Sequence, residues 1–232
     1  MPSADNTGNT TMPPVTVDRP YTHEMVIVHR VFRREAALMP RLVRAVPTGD
    51  SARTAKIADY VQEYMNGLHH HHGLEDELIW PLLRSRAGAQ DDLVTRMELQ
   101  HHAIDETLAQ ATALLPRWRT SGGDPAAGAE LAAALDEHQA VLTEHLDDEE
   151  RLVLPLVAEH MTVAEWDLVG TRGLETLPKN KVLIALGAIL EDASAEEQAY
   201  FLRKAPAVGR LLWRLVGRRQ YAARCRDLRG PL

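Results

Sequence analysis

The chain of 232 residues has a formal net charge of −7, and 45% of its residues are hydrophobic, 25% charged and 5% aromatic. This balance is that of an ordinary globular domain, and the abundance of Ala and Leu favours helices over strands. One cysteine excludes an intramolecular disulfide, and the lack of any apolar run near ~18 residues argues against a membrane span.

Charge is distributed unevenly along the chain. Residues 201–232 contain nine Arg or Lys and one Asp, so this end carries +8 and the rest −15. The pattern favours a basic tail that lies against an acidic body over a nucleic-acid or membrane role. The lone Cys225 and a start without an apolar leader predict a cytoplasmic location.

Four amphipathic helices are predicted, after a disordered segment at 1–20. They cover about 22–46, 52–85, 91–117 and 125–160. Pro40 is expected to kink or end the first helix, and Pro81 to break the second. Because the connections are short, the chain is predicted to be all-α, with an antiparallel up-down-up-down four-helix bundle over 21–160.

Further helices are predicted in a C-terminal extension over 161–232. Thr162 and Glu165 have the spacing of a capping box, and helices should follow at about 181–190, 195–204 and 209–226. The last helix is basic, and Leu211 and Leu215 belong to its apolar side. We expect this extension to decorate the bundle.

A short motif occurs twice, at HHHHGLEDELIWP and HLDDEERLVLP, with an offset of 74 residues. Each copy has a His, a carboxylate four residues later, a second acid, an apolar triplet and a Pro. The matched pairs are His71 with His145, Glu75 with Glu149, Asp76 with Glu150 and Pro81 with Pro155. Four helical residues make slightly more than one turn, so each His shares a face with its Glu.

The first and third predicted helices carry one inward-facing His each, His29 and His101, which makes the bundle resemble a duplicated hairpin. The predicted metal ligands are His29, His71, Glu75, His101, His145 and Glu149. Buried Glu is costly unless it is paired or bound to metal. Nitrogen and oxygen ligands without thiolate favour two irons bridged by carboxylates, and zinc or manganese remain alternatives.

The run His69–His72 leaves the register on the second helix to be decided, because consecutive residues point about 100° apart. His71 matches both the Glu75 spacing and the repeat, so it is the predicted ligand. His72 with Asp76 is the alternative. His69 and His70 are expected at the surface or in contact with the ligands, without binding metal themselves.

These motifs resemble those of the hemerythrin-like family, the HHE cation-binding domains, over about residues 22–160. The resemblance implies a non-haem di-iron centre with an oxo or hydroxo bridge, in which Glu75 and Glu149 bridge the irons. It also implies that O2, peroxide, nitric oxide or another small molecule is the partner. An enzyme role, as an oxidase or a peroxide-consuming protein, and a non-catalytic sensing or regulatory role are both compatible with it.

The chain departs from oxygen-carrying hemerythrins on the third helix, where Asp105 replaces the second His. His102 or His23 could substitute, or Asp105 could bind directly or through water. Fewer His ligands leave open or anionic iron positions, so a redox-reactive protein is predicted rather than a simple O2 carrier.

Gly67 lies one turn before His71 on the same face, and a Gly inside a helix costs about 1 kcal/mol relative to Ala. Close helix packing or an irregular helix is one interpretation. A ligand entry path lined by Tyr64 is the other.

Overall fold

The computed structural model describes residues 19–88 and 91–230, and every regular element in these ranges is helical. The all-helical prediction is therefore confirmed. The disorder expected for 1–20 falls almost wholly outside the described residues. The first part of the chain forms α1 (His23–Arg44), α2 (Ser51–Leu78), α3 (Trp80–Arg86), α4 (Asp91–Thr120), α5 (Pro125–Asp148) and α6 (Leu154–His160).

The four long helices pack in a ring, in which α1 and α4 each contact both α2 and α5. Helices α1 and α5 run in opposite directions. His29, early in α1, hydrogen-bonds to Glu150 just after α5, whereas Arg44, at the end of α1, hydrogen-bonds to Asp136 earlier in α5. Hydrogen bonds show the same opposite directions for two more helix pairs. They are Asp76–His101 and Asp59–Arg119 between α2 and α4, and Asp148–Gln100 and Glu130–Arg117 between α4 and α5.

The apolar core consists of two separate clusters along the length of these helices. The larger contains Leu68 and Ile104, and the smaller contains Ile79 and Met97. Helices α1 and α4 pass from one cluster to the other, α2 does so with its continuation α3, and α5 with its continuation to α6; buried His and Glu side chains lie between the two clusters. The fold therefore holds a polar layer between two apolar ones.

Proline positions explain most of the breaks in the helices. The predicted break at Pro81 is found at Ile79, and Pro81 sits in the first turn of α3, where its missing N–H costs nothing. The segment predicted as one helix over 125–160 is helical throughout, but a π-helical turn at Glu149–Val153, just before Pro155, interrupts its α-helical hydrogen bonding. In contrast, α1 continues through Pro40 to Arg44, so the helix does not end there.

The rest of the chain forms α7 (Val163–Glu175), α8 (Val182–Glu191), α9 (Ala195–Lys204), α10 (Ala207–Leu212) and α11 (Arg218–Arg229), with a π-helical turn at Trp213–Gly217. The capping box at the start of α7 is confirmed. Helix α7 packs on α2, and α8 packs on α1 and α11. Among the described residues, no helix combines the length and apolarity needed to cross a membrane.

Candidate metal centre

Seven metal-ligand side chains meet in the polar layer between the two apolar clusters. They are His29 from α1, His71, His72 and Glu75 from α2, His101 from α4, His145 from α5, and Glu149 from the π-helical turn. Most of them are fully excluded from solvent. His71 keeps 12% side-chain exposure, so one side of the cluster approaches water.

These side chains form two groups that share one carboxylate. The His101 group contains His72, Glu75, His101 and His145, and the His29 group contains His29, His71 and Glu75, with the ligand atoms of each group within 4.8 Å of one another. Oε1 of Glu75 is 3.1 Å from His71 Nε2, whereas its Oε2 is 3.4 Å from His101 Nε2. Neighbouring ligands about an ion with ~2.1 Å bonds stand roughly 3 Å apart, so these spacings suit a shared ion.

Glu149 lies between the same two groups from the opposite side. Its Oε2 is 3.3 Å from His29 Nε2 and 3.7 Å from His145 Nε2. The residue begins the π-helical turn that ends α5, and such turns are frequent at functional sites. Two carboxylates, one on each face, are thus placed where they can contact both groups.

The buried polar atoms of the cluster lack hydrogen-bond partners among the described residues. These atoms are Nε2 of His29, His71, His101 and His145, both ring nitrogens of His72, and both carboxylate oxygens of Glu75 and Glu149. An unsatisfied buried group costs about 1–3 kcal/mol, so such a concentration requires compensation. All of these atoms are good ligands for a divalent cation, and the residues therefore fit a metal centre with nitrogen and oxygen donors.

Two outer carboxylates orient two of the imidazoles. His29 Nδ1 donates to Glu150 Oε1 at 2.9 Å, and His101 Nδ1 donates to Asp76 Oδ1 at 2.8 Å. Because a carboxylate accepts, the neutral form of each ring carries its proton on Nδ1, and its Nε2 lone pair then faces the cluster. Asp76 and Glu150 occupy equivalent places in the repeated motif, yet the sequence interpretation gave neither of them this role.

His145 is oriented by an amide instead. Its Nδ1 lies 3.3 Å from Gln100 Oε1, and Gln100 Nε2 donates to Asp148 Oδ2 at 2.9 Å. Arg151 in turn donates to the other oxygen of Asp148 at 2.7 Å. This series of hydrogen bonds links a buried imidazole to the charged surface.

Ion pairing raises the pKa of two imidazoles in the cluster. Burial alone would lower the pKa of His29, but the charge of Glu149 and the hydrogen bond to Glu150 outweigh it and bring the pKa to about 9. Burial opposes the shift at His101 too, where the hydrogen bond to Asp76 and the charge of Glu75 raise the pKa to about 10. For Glu149, burial is overcome by the charge of His29, and the pKa falls to about 2.

Burial shifts the pKa values of the remaining members towards the neutral form. Burial, followed by the charge of Glu149, raises the pKa of Glu75 to about 7. Burial lowers the pKa of His71 to about 3 and that of His145 to about 4, and it lowers the pKa of His72 as well. Neutral imidazole is the form that binds metal, so these three rings are ready to act as ligands.

A comparison with protein families decides the identity of the domain. The model described as hemerythrin HHE cation binding domain matches residues 21–157, which is more than half of the chain. The chain belongs to the hemerythrin HHE cation-binding family. No curated protein and no solved structure matched the chain. Cation binding is the property in the family's description, and the two groups that share Glu75 are where this HHE domain offers its ligands.

The HHE centre brings together all six residues predicted as ligands and adds His72. The sequence interpretation treated His72 as an alternative to His71, but the structure places one in each group. Adjacent helical residues diverge by about 100°, and the cluster is wide enough to receive both rings. The fifth imidazole therefore comes from α2.

The other residues considered for this HHE centre lie outside it. Asp105 is 55% exposed and faces His69, with 3.5 Å between Oδ1 and Nδ1. Asp105 lies one turn beyond His101 on α4, opposite the exposed His69 rather than the buried ligands, so it is outside the edge of the cluster. His102 is 73% exposed, and His23 is bonded to Glu197 on α9 at 2.6 Å.

Tyr64 takes part in a buried hydrogen-bond chain rather than lining an opening. Its hydroxyl donates to His138 Nε2 at 2.9 Å, His138 Nδ1 donates to Thr107 Oγ1 at 3.0 Å, and Thr107 donates to the carbonyl of Ile104 at 2.8 Å. The ring of Phe32 packs against both Tyr64 and His71, with centroids 6.2 Å and 4.8 Å away. Sequence reasoning did not single out His138, because no repeat or motif marks it.

His138 should make stability fall in acid. Burial lowers its pKa from 6.5 to about 4, so the folded state keeps it neutral. Its contribution is complete above pH 6.5 and is lost as the pH falls towards 4, by up to roughly 3 kcal/mol. We expect metal-free His138→Gln to be less stable than wild type at neutral pH but to lose less stability over this range in urea unfolding. Parallel pH profiles would contradict this.

Gly67 is exposed, and a Cβ at this position would meet nothing within 4 Å. Close helix packing or an irregular helix, which was one interpretation, is therefore not its reason, because α2 is also regular through this position. The other, an entry path beside the centre, stays a prediction.

Proposed function

We propose that this HHE protein is a non-haem di-iron protein whose reduced form reacts with O2 or peroxide. The proposal includes an antiparallel up-down-up-down bundle over 21–160, a helical extension over 161–232, and a cytoplasmic location that suits the lone Cys225. Glu75 is the observation that carries it, because its two oxygens face two different groups of imidazoles. A single ion could not use both groups at once.

The two groups offer unequal numbers of donors. With Glu149 included, the His101 group offers five donor residues and the His29 group four. Bound iron would supply electrons and open positions for O2, peroxide or nitric oxide. The His29 group leaves more positions free, so the chain directs the small ligand to this side.

Exposure favours a redox-reactive centre over an O2 carrier. A carrier needs a saturated and dry site, so that reduced oxygen is not released. His71, in the group with fewer donors, is the most exposed ring of the cluster, at 12% against 6% for His101, and water can reach this side. Asp105, which first suggested reactivity, lies at the surface and has no part in this argument.

The test uses metal-loaded protein reduced without air and mixed with O2 or hydrogen peroxide. We expect rapid and irreversible oxidation, followed by consumption of added peroxide. An oxygenated spectrum that returns to the reduced one on flushing with inert gas, over repeated cycles, would show a carrier instead.

Sensing is the second candidate, because α1 joins the centre to the C-terminal extension. His29 lies in the centre, while Arg34 on the same helix pairs with Glu191 at 3.2 Å and also with Asp192. A shift of α1 on oxidation would strain these pairs. Faster hydrogen exchange in α8 of the oxidised protein, without turnover of peroxide, would favour this function.

The adjacent histidines should each control one ion. His71→Ala removes a donor from the His29 group, and His72→Ala removes one from the His101 group. We expect each variant to retain about one iron per chain, whereas His69→Ala, at a side chain that is 76% exposed, should retain both. Full occupancy in either variant would contradict its assigned group.

A further inference from the structure

The end of the chain presents an apolar face to solvent. The sequence predicted an apolar side for this helix without deciding where it docks, and the buried residues here are Trp213 and Gly217. The exposed aliphatic residues, 45–69% accessible, are Val208, Leu211, Leu212, Leu215 and Val216, and we call them the leucine face. Their spacing of three and four residues forms one stripe along α10 and the π-helical turn.

Arginine side chains without ion-pair partners neighbour the leucine face along the chain. Arg210, Arg214, Arg218 and Arg219 lie in the same stretch, and within the described residues none of them forms an ion pair with a carboxylate. Arg210 donates only to the carbonyl of Ala205, at 2.7 Å. Further along, Arg224 and Arg229 do pair, with Glu63 and Glu35. Apolar surface and free guanidinium groups thus coincide in one place.

A cleft of about 430 Å³ adjoins this stretch, and Trp213 and Arg218 are among its lining residues. The indole N–H of Trp213 is buried, and Trp213 is only 5% exposed, yet this N–H has no hydrogen-bond acceptor among the described residues. A buried N–H donor beside an unpaired guanidinium suits an anionic oxygen, such as that of a phosphate.

We propose that the leucine face docks onto a bilayer containing anionic phospholipid. The aliphatic side chains enter the boundary of the hydrocarbon layer, the arginines bind lipid phosphates, and the cleft at Trp213 accepts an oxygen of one headgroup. A basic helix with one apolar stripe is typical of helices that lie in the membrane interface. A second copy is a poorer partner, because a symmetric pairing would bring like-charged arginines together.

Sedimentation of the full-length, metal-loaded protein with vesicles tests this surface. We expect binding to vesicles of phosphatidylcholine with phosphatidylglycerol, little binding to phosphatidylcholine alone, and weaker binding in high salt. Arg214→Ala with Arg218→Ala should lower the partition coefficient by roughly 30-fold, and Leu211→Ser with Leu215→Ser by at least about tenfold.

The matched control is Leu174→Ser with Arg41→Ala, which removes an exposed leucine and an exposed arginine outside this stretch. It should bind as wild type does, and equal iron content should show that all variants are folded. Absence of vesicle binding, or binding that both double variants leave unchanged, overturns the proposal. The proposal is also overturned if the protein forms a dimer but does not bind vesicles, and if Leu211→Ser with Leu215→Ser abolishes that dimer. The leucine face would then be a contact between two copies of the chain.

Discussion

Replacing Glu75 by glutamine is expected to disrupt both halves of the metal centre. Each carboxylate oxygen faces a different group, at 3.1 Å from His71 and 3.4 Å from His101. An amide keeps the shape but loses the charge that a bridging ligand needs, and only its oxygen can bind a cation. We expect bound iron to fall from two ions to one or none per chain, with at least ~100-fold weaker binding.

Glu77→Gln is the matched control, because Glu77 is 55% exposed and lies 3.3 Å from Arg172. It should retain full iron content. Circular dichroism should show that Glu75→Gln is folded, since it replaces a buried carboxylate by a neutral group of equal size. Two irons per chain in folded Glu75→Gln would show that Glu75 is not shared between the ions.

Removing the metal is expected to lower the melting temperature by roughly 10 °C or more. The buried nitrogen and oxygen atoms of the cluster then lose their compensation, at about 1–3 kcal/mol for each unsatisfied group. In a protein of this size, 1 kcal/mol corresponds to a shift of about 2–4 °C. Calorimetry before and after anaerobic chelation measures the change.

The destabilisation should be local to the centre. Hydrogen exchange is expected to increase most in α2 around Glu75 and in the π-helical turn at Glu149, because these segments supply the shared carboxylates. Helix α11 is the internal control, since it contributes no ligand. A metal-free protein as stable as the loaded one would mean that the cluster does not depend on metal for its folding.

Six of the seven clustered residues could be predicted from the sequence, because the motif that contains them is repeated along the chain. Helical spacing places His71 beside Glu75, and His145 beside Glu149, without knowledge of the tertiary fold. His72 could not be predicted in the same way. Whether two adjacent rings both face a site depends on the width of the space between helices, and one helix does not determine that width.

The carboxylates that hydrogen-bond to the ligand histidines could not be predicted from the sequence either. The repeat marks Asp76 and Glu150 as equivalent, but their hydrogen bonds reach His101 and His29 on other helices. Such contacts depend on how the helices are aligned lengthwise. The π-helical turn before Pro155 also escaped prediction, because proline predicts a break but not its form.

Periodicity at the C-terminal end indicated an apolar side but not whether it is covered. Leu211 and Leu215 recur at helical spacing, which usually means packing against a core. Here the larger Trp213 side chain, on another side of the helix, is the buried one. With Trp213 buried, the side of the helix that carries Leu211 and Leu215 faces solvent.

Mössbauer spectroscopy with parallel iron analysis of the reconstituted protein tests the central claim most directly. Two groups that share Glu75 predict two iron ions per chain, coupled through their common ligands into a single diamagnetic di-ferric unit. One iron per chain, or two magnetically independent ferric ions, would contradict the shared centre.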